Sequence, residues 1–265
     1  WIQNKADVKG LMLCGMPPHF SAGANLQFIR GLNRKDLADF LVDFQQAIEF
    51  IRLAPFPVVA ALSGMCLGGG CEFAFAADRR VVMAETRMGL VEAGVGLLPS
   101  GGGVAHMART QSRSNLCAVH RAIATGLMCD NAFEAQKRGL LQENDTILLA
   151  NEQLLPTAFE QLGSLMESWV ERPVDFPIPA VDSEECSEMN QWVADQVDKG
   201  HFTAHDALLG RILTGVLCGS FEGEMARKNE DVLALERQAF IRLYESEKTQ
   251  QRIDHMLKTG KRLKN

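Results

Sequence analysis

The sequence lacks the motifs that identify several common classes of enzyme. It contains no GxxxxGKS/T phosphate-binding loop, no GxSxG serine elbow, no HExxH zinc motif and no CxxC pair. Residues 94–99 begin like a dinucleotide fingerprint, but Pro99 stands where the third glycine belongs. The sequence therefore argues against a P-loop hydrolase, a serine hydrolase and a Rossmann-type site. The missing ligand spacings argue against a metal site.

Cysteine is present without any disulfide pattern. The seven cysteines are an odd number, and Cys66, Cys71 and Cys218 lie in apolar runs. A free cysteine in such a run behaves as a small hydrophobic residue. Because disulfides are rare in reducing compartments, this pattern predicts free thiols in a reduced, cytoplasmic protein.

Neither the charge nor the hydropathy of the chain points to a nucleic acid or a membrane. The formal net charge of −6 at pH 7 gives no general attraction to polyanions. The most apolar stretch, residues 54–77, is long enough to cross a bilayer, but it contains Pro55, Pro57, a glycine triplet and Glu72. A buried strand, turn and helix is the better interpretation, and no cleavable leader is visible after Trp1. We expect no nucleic-acid partner and no membrane partner.

The order of the predicted elements indicates an α/β fold. Three apolar runs, at residues 8–14, 58–62 and 80–84, are typical of strands, and the first is expected to be a core strand. Between the first two runs, apolar residues recur at helical spacing over residues 37–51. Strands and helices therefore alternate within the first hundred residues.

The second half of the chain is predicted to be helical. Its clearest boundary is a proline-containing linker at residues 172–182. We therefore predict a core domain over residues 1–171 and a helical extension over residues 172–265. Because the chain opens almost directly into its first strand without an initiator methionine, we expect it to be a region of a longer protein.

The stretch from 57 to 103 contains the candidate chemistry. Glycines 68–70 lie between a strand and an apolar helix, where backbone N–H groups can stabilise an oxyanion. The alternative is that these glycines only allow close packing. Glu72 and Glu92 are carboxylates in apolar or glycine-rich surroundings, which suits an acid/base pair or, alternatively, structural ion pairs.

Three motifs together resemble the crotonase (enoyl-CoA hydratase/isomerase) superfamily. They are FSAGANL at 20–26, SGMCLGGGCEFAFAAD at 63–78 and MGLVEAGVGLLPSGGG at 88–103. The segment ATGLMCDNAFEAQKRGLL at 124–141 is similar to the helices that follow in the family. The last nineteen residues, 247–265, resemble the hydratase portion of bacterial proteins that carry a 3-hydroxyacyl-CoA dehydrogenase in front of it.

The resemblance implies a core of repeated ββα turns, a helical C-terminal region and a site for acyl-CoA thioesters. By motif position, the amides of Ala24 and Gly69 form the hole for the thioester oxygen. Glu72 and Glu92 fall on the two acidic positions of hydratases. The residues implied in binding the CoA thioester are Ala22, Ala24, Asn25, Leu26, Gly68 and Ser100.

The implied reaction is hydration of 2-enoyl-CoA to 3-hydroxyacyl-CoA in fatty-acid β-oxidation. Glu72 would act as base on the attacking water, and Glu92 would deliver a proton to the α-carbon. No metal or redox cofactor is implied, because coenzyme A is part of the substrate. Two alternatives stay open: a Δ3-Δ2-enoyl-CoA isomerase that uses chiefly Glu92, and a non-catalytic acyl-CoA-binding or scaffolding domain.

This sequence departs from the family pattern at two site positions. Asn25 stands where many relatives have aspartate. Ser100 stands where glycine is common and where the amide is expected to face the catalytic water. Serine keeps that N–H group but adopts a positive φ less readily.

The resemblance also gives expectations for the ends of the chain. The family normally has another strand pair and a helix before the strand at 8–14, so we expect further chain there, with a linked 3-hydroxyacyl-CoA dehydrogenase region. The family commonly forms oligomers, and residues 200–265 are the candidate for part of a homo-oligomer interface. Lys258, Lys261 and Arg262 suit either a CoA phosphate or a solvated tail.

Overall fold

The structure is a computed structural model that describes residues 7–170, 172, 181, 183–221, 224–225 and 228–265. In chain order its strands are β1 (Leu11–Cys14), β2 (Val58–Leu62), β3 (Met65–Leu67), β4 (Arg79–Met83), β5 (Arg87–Gly89), β6 (Thr146–Leu148), β7 (Ser220–Phe221) and β8 (Glu224–Met225). Its helices are α1 (Leu26–Arg30), α2 (Arg34–Arg52), α3 (Gly69–Ala76), α4 (Gly103–Thr110), α5 (Arg113–Thr125), α6 (Ala132–Lys137), α7 (Leu154–Glu167), α8 (Ser183–Asp198), α9 (Ala204–Leu217), α10 (Asn229–Tyr244) and α11 (Glu247–Thr259). Short 3-10 helices cover Glu92–Val95 and Asn151–Gln153. Within the described ranges, no helix has both the length and the apolar character that a membrane span requires.

The residues group into two compact units, each assembled from three segments of the chain. The first unit contains the described residues of 1–23, 46–89 and 128–174. The second contains those of 24–45, 90–127 and 175–265. The predicted linker at 172–182 lies outside the described residues, except for residues 172 and 181. The domain boundary placed between residues 171 and 172 stays a prediction.

The first unit is built on a parallel four-stranded sheet with the order β1-β2-β4-β6. Strand β2 is buried along its whole length, as is usual for an inner strand of a parallel sheet. A second parallel ladder joins β3 to β5. Helix α7 packs on the larger sheet, and the core there consists of Val59, Ala61, Val81, Met83, Leu154, Ala158 and Leu162. The predicted α/β fold with a helical C-terminal region is confirmed.

The first strand is shorter and less buried than the sequence predicts. The apolar run at 8–14 forms a strand only from Leu11 to Cys14, and Cys14 is exposed. Among the described strands, β1 pairs with β2 only, and it forms one edge of the four-stranded sheet. An apolar run does not reveal the position of its strand within a sheet, so the degree of burial was overestimated.

The second unit is largely helical, and it corrects the prediction that all cysteines are free. Cys186 and Cys218 form a disulfide, while the other five cysteines are free thiols. Cys186 lies near the start of α8 and Cys218 directly follows α9. These two helices form a hairpin, which brings together cysteines that are 32 residues apart in the sequence.

Two of the buried histidines of the second unit, His120 and His205, lie among its helices with a polar partner for Nε2. The Nε2 atom of His120 lies 2.9 Å from the carbonyl oxygen of Gly210. The Nε2 atom of His205 lies 2.8 Å from Oγ1 of Thr249. Burial lowers the pKa of each imidazole from 6.5 to about 4, and the charge of Arg252 adds to the effect at His205. Both side chains are therefore neutral in the folded protein at pH 7.

We expect the protein to lose stability as the pH falls from 6.5 towards 4, the window between the two pKa values. In this window the unfolded chain binds protons on both histidines and the folded chain does not. The contribution of the two neutral histidines to the free energy of unfolding is therefore fully present above pH 6.5 and declines as the pH falls towards 4. Each histidine should account for a loss of about 2 kcal/mol between pH 7 and pH 5. Urea unfolding of the wild type and of His120→Gln at both pH values measures this loss.

The exposed His201 provides the control for this prediction. His201→Gln should keep the full pH dependence of the wild type, whereas His120→Gln should lose about half of the part that the two histidines cause. An identical pH dependence in all three proteins would contradict the prediction.

Candidate active site

The glycine triplet forms the turn between β3 and α3 in the first unit. Gly68 has a φ of +54°, a conformation that favours glycine, and its N–H donates to the carbonyl of Gly89 at 2.9 Å. Gly69 and Gly70 occupy the first turn of α3, where a helix leaves its N–H groups without intrahelical acceptors. The amide of Gly68 is thus used inside the protein, whereas that of Gly69 is the kind of donor that binds an oxyanion.

The loop that carries Ala22 lies against this turn. The N–H of Ser21 donates to Met65 O at 2.8 Å, and the N–H of Leu67 donates to Ser21 O at 3.0 Å. A Cβ atom on Gly70 would lie only 2.5 Å from the Cβ of Ser21. Close packing therefore explains the glycine at position 70, and Ala22 follows as an exposed residue.

Glu72 is a buried carboxylate in the first turn of α3. Its side chain is 3% exposed, and its helix neighbours Cys71, Ala74 and Phe75 are also buried. The N-terminal end of a helix favours negative charge, which lowers the cost of burying this group. A carboxylate in such an environment is a candidate for proton transfer.

Glu92 begins the 3-10 helix Glu92–Val95 in the second unit. Its side chain is half-buried, and its Oε2 atom is buried. The turn closes at Gly96, which has a φ of +81°, and the N–H of Leu97 donates to Glu92 O at 3.1 Å. The end of the turn is fixed by Thr249, whose hydroxyl donates to Gly96 O at 3.0 Å.

Ser100 lies further along the same loop and is 5% exposed. Its carbonyl accepts a hydrogen bond of 2.7 Å from Nε2 of Gln45, a side chain that is itself 3% exposed. The backbone of the predicted water-positioning residue is therefore held from α2. No sequence motif indicated Gln45.

Three of the four residues predicted from the first motif, Ala24, Asn25 and Leu26, lie at the start of α1 in the second unit. Asn25 is the N-cap of this helix, and its Oδ1 accepts from the N–H of Phe28 at 3.0 Å. Aspartate caps helices in the same way, so the asparagine at this position keeps the local structure. Ala24 is exposed just before the cap, and Leu26 is half-buried just after it.

The C-terminal basic residues are not uniformly solvated. Arg262 donates to the carbonyl of Thr125 at 2.9 Å, and a Cβ atom on Gly94 would lie 2.7 Å from its Nε. Arg262 therefore packs against the 3-10 helix that begins with Glu92. Lys258 and Lys261 are exposed.

The structure places the predicted site residues in two groups. The first unit contains Ala22, Gly68, Gly69 and Glu72, all in or beside the first turn of α3. The second unit contains Ala24, Asn25 and Leu26 at α1, and Glu92 and Ser100 in one loop. Their catalytic and binding roles stay predictions. Across the described part of the chain, no three His, Cys, Asp or Glu side chains are grouped in a way that could hold a metal ion.

Comparison with known proteins gives a consistent result. A family model described as enoyl-CoA hydratase/isomerase matches residues 2–174. The probable 3-hydroxyacyl-CoA dehydrogenase of Bacillus subtilis is 32% identical, over 99% of this chain and 35% of its own length. The probable enoyl-CoA hydratase of Rhizobium meliloti is 32% identical, over 65% of this chain and 60% of its own length. The chain thus spans less than two thirds of either relative.

Solved structures share the fold. Enoyl-CoA hydratase from Bacillus halodurans superposes with a TM-score of 0.62 at 16% identity, covering 95% of this chain and 83% of its own. Human mitochondrial delta3-delta2-enoyl-CoA isomerase also gives a TM-score of 0.62, at 20% identity, covering 97% of this chain and 82% of its own. At these identities the likeness shows the fold alone, and the predicted crotonase-like fold is confirmed.

Proposed function

The chain belongs to the enoyl-CoA hydratase/isomerase family, and on that premise we propose that it hydrates 2-enoyl-CoA to 3-hydroxyacyl-CoA in fatty-acid oxidation. The observation that carries the proposal is the presence of two carboxylates, Glu72 and Glu92, each in the first turn of a helical segment. Glu72 is almost wholly buried, and Glu92 has a buried oxygen atom. Adding water across a double bond requires one proton to be removed and another to be delivered, and two acids match these two tasks.

The proposed reaction begins at the thioester carbonyl. Hydrogen bonds from the amides of Gly69 and Ala24 draw electron density towards the carbonyl oxygen, which makes the β-carbon electrophilic. Glu72 removes a proton from water as the water oxygen bonds to the β-carbon, and Glu92 protonates the α-carbon. The enolate that develops is stabilised by the two amides, and losing one donor of this kind costs about 2.7–4 kcal/mol.

The remaining predicted residues are assigned to substrate binding. Ala22, Asn25, Leu26 and Ser100 are proposed to contact the CoA thioester or the reacting water. The N–H of Gly68 donates to Gly89, so we propose that Gly68 contacts the CoA thioester through its Cα atom and not through its amide. Coenzyme A arrives as part of the substrate, and the reaction needs no further cofactor.

A product assay with two substrates tests the proposal. Crotonyl-CoA should be converted to 3-hydroxybutyryl-CoA by the wild type, and this activity should fall in Glu72→Gln. If the protein is instead an isomerase that acts through Glu92, it should convert a 3-enoyl-CoA to the 2-enoyl-CoA, and Glu72→Gln should retain that conversion. Calorimetric binding of crotonyl-CoA with no conversion of either substrate would indicate a binding or scaffolding domain.

Gly70→Ala is expected to reduce hydration through the loop of Ser21 and Ala22. The added methyl group would lie 2.5 Å from Ser21 Cβ, so the loop must move away from the first turn of α3. A displacement of about 1 Å near reacting groups lowers turnover by up to about 10²-fold. Steady-state kinetics with crotonyl-CoA measures the effect.

Gly163→Ala in α7 is the matched control. A Cβ atom there would meet nothing within 4 Å, and alanine favours a helix interior over glycine. Its activity should equal that of the wild type. Equal activity in Gly70→Ala would show that the packing of this loop does not set the geometry of the site.

The proposal extends to a partner for the product. The Bacillus subtilis relative is named as a probable 3-hydroxyacyl-CoA dehydrogenase and is almost three times as long as its aligned part. We propose that the 3-hydroxyacyl-CoA product passes to a dehydrogenase region of a longer protein. Homo-oligomer formation and a cytoplasmic location stay predictions from the sequence.

A further inference from the structure

The loop that carries Glu92 and Ser100 runs into α4, a helix without a cap of its own. Its N-cap residue is Gly102, which has no side chain to accept a hydrogen bond and has a φ of +107°. The first N–H groups of a helix need acceptors from elsewhere. Glu236 on α10 supplies them, because its Oε2 accepts from Gly102 N and its Oε1 from Ala105 N, both at 2.7 Å.

The position of Glu236 is unusual for a carboxylate. The residue is 1% exposed, and burying a charge is costly unless the charge is stabilised. Two hydrogen bonds from backbone N–H groups to an ionised oxygen are of the strong class, and the N-terminal end of α4 favours negative charge. The hydrogen bonds and the helix end that stabilise this carboxylate both lie where the loop meets α4. The carboxylate in turn holds the backbone of the loop in place.

The same face of α10 holds the loop at a second point. Leu233, Glu236 and Arg237 have the spacing that places residues on one side of a helix. The Nε2 atom of Gln45 donates to Ser100 O at 2.7 Å and to Leu233 O at 2.9 Å. Arg237 donates to Oε1 of Gln45, which fixes the orientation of this amide. The loop is therefore held by hydrogen bonds at Ser100 and Gly102, and the first turn of α4 by one at Ala105.

We propose that Glu236 is a positioning residue for the hydration step, an inference that rests on the proposed function. Its carboxylate holds the backbone N–H groups of Gly102 and Ala105, and Gln45 holds the carbonyl of Ser100 itself. Together they restrain the backbone around Ser100, whose N–H group is assigned to the attacking water. Glu236 is assigned no contact with the water or the substrate, so its removal should act on turnover rather than on binding.

The test compares Glu236→Gln with the wild type. Glutamine has the same shape, but it presents an NH₂ group to one of the two backbone N–H donors. We expect kcat for crotonyl-CoA to fall by about 10- to 100-fold, because small displacements of a positioning group have effects of this size. The KM and the calorimetric number of crotonyl-CoA binding sites should stay unchanged.

Two further variants complete the design. Glu230→Gln makes the same change on the same helix at a side chain that is 78% exposed, and its kcat should equal that of the wild type. Gln45→Met removes the donor to Ser100 O while keeping the side-chain length. It should lower kcat about 10-fold at unchanged KM, and it tests the same restraint if Glu236→Gln does not fold.

The outcomes separate this inference from the proposed function. If the wild type does not hydrate crotonyl-CoA, the proposed function fails and the inference fails with it. If the wild type hydrates and the Glu236→Gln and Gln45→Met variants keep its kcat per binding site, only the inference fails. A loss of binding sites without a loss of kcat per site would make Glu236 a purely structural residue and would also overturn the inference.

Discussion

Glu92→Gln should lower the rate of crotonyl-CoA hydration by about 10²–10⁴-fold, the usual contribution of a general acid. The carboxamide has the shape of the carboxyl group but cannot deliver a proton to the α-carbon. Because the Oε2 atom of Glu92 is buried, bulk water is not positioned to replace it. Loss of the enoyl-thioester absorbance measures hydration, and calorimetry should show that crotonyl-CoA still binds.

An exposed carboxylate gives the matched control for this substitution. Glu85 lies in the turn between β4 and β5, and its side chain is exposed. Glu85→Gln should retain the wild-type rate. Turnover by Glu92→Gln within a few-fold of the wild type would show that Glu92 is not the proton donor.

Asp145→Ala should cost about 3–5 kcal/mol of unfolding free energy, the usual effect of breaking a buried ion pair. The side chains of Arg80 and Asp145 are 4% and 0% exposed, and they are joined by a hydrogen bond of 2.7 Å from Nε to Oδ2. Asp145 also accepts from the N–H groups of Arg80 and Gln142, at 2.9 and 2.7 Å. Its removal leaves a buried guanidinium charge and two backbone donors without their acceptor. Urea unfolding at pH 7 measures the change.

Asp130→Ala removes the same type of side chain from an exposed ion pair in the same unit. Asp130 is 76% exposed and lies 3.1 Å from Arg87, itself 48% exposed. Pairs of this kind contribute about 0–1 kcal/mol, so the stability should change little. If both alanine variants lost the same stability, burial would not be the reason that the Arg80–Asp145 pair matters.

The fold was predictable where its pattern is local. The run at 58–62 became β2 with the same bounds, because it is apolar, β-branched and bounded by Pro57 and by Ser63-Gly64. The strand predicted over residues 8–14 is longer than the observed β1 and is not in the centre of the sheet, since an apolar run does not show which strand forms the edge of a sheet. The Cys186–Cys218 disulfide was missed because it depends on the packing of α8 against α9 and leaves no trace in the spacing of the cysteines.

The candidate site residues could be identified from the sequence where they lie within a local motif. Gly69, Glu72 and Glu92 lie within contiguous motifs, so their residue types and spacing suffice to single them out. Gln45 and Glu236 were not predictable, because the backbone groups that they bind are 55 and 134 residues away. On α10 the only available signal is a charged residue beside an apolar stripe, a pattern that an exposed helix face shows equally well.

We propose that this chain adds water across the double bond of a 2-enoyl-CoA. The most direct test is to incubate the wild-type protein with crotonyl-CoA in water enriched in oxygen-18 and to determine the mass of the product. We expect 3-hydroxybutyryl-CoA with one heavy oxygen, bound at C3, and almost none of it from Glu92→Gln. Unchanged crotonyl-CoA from a wild-type protein that binds the thioester in calorimetry would contradict the claim.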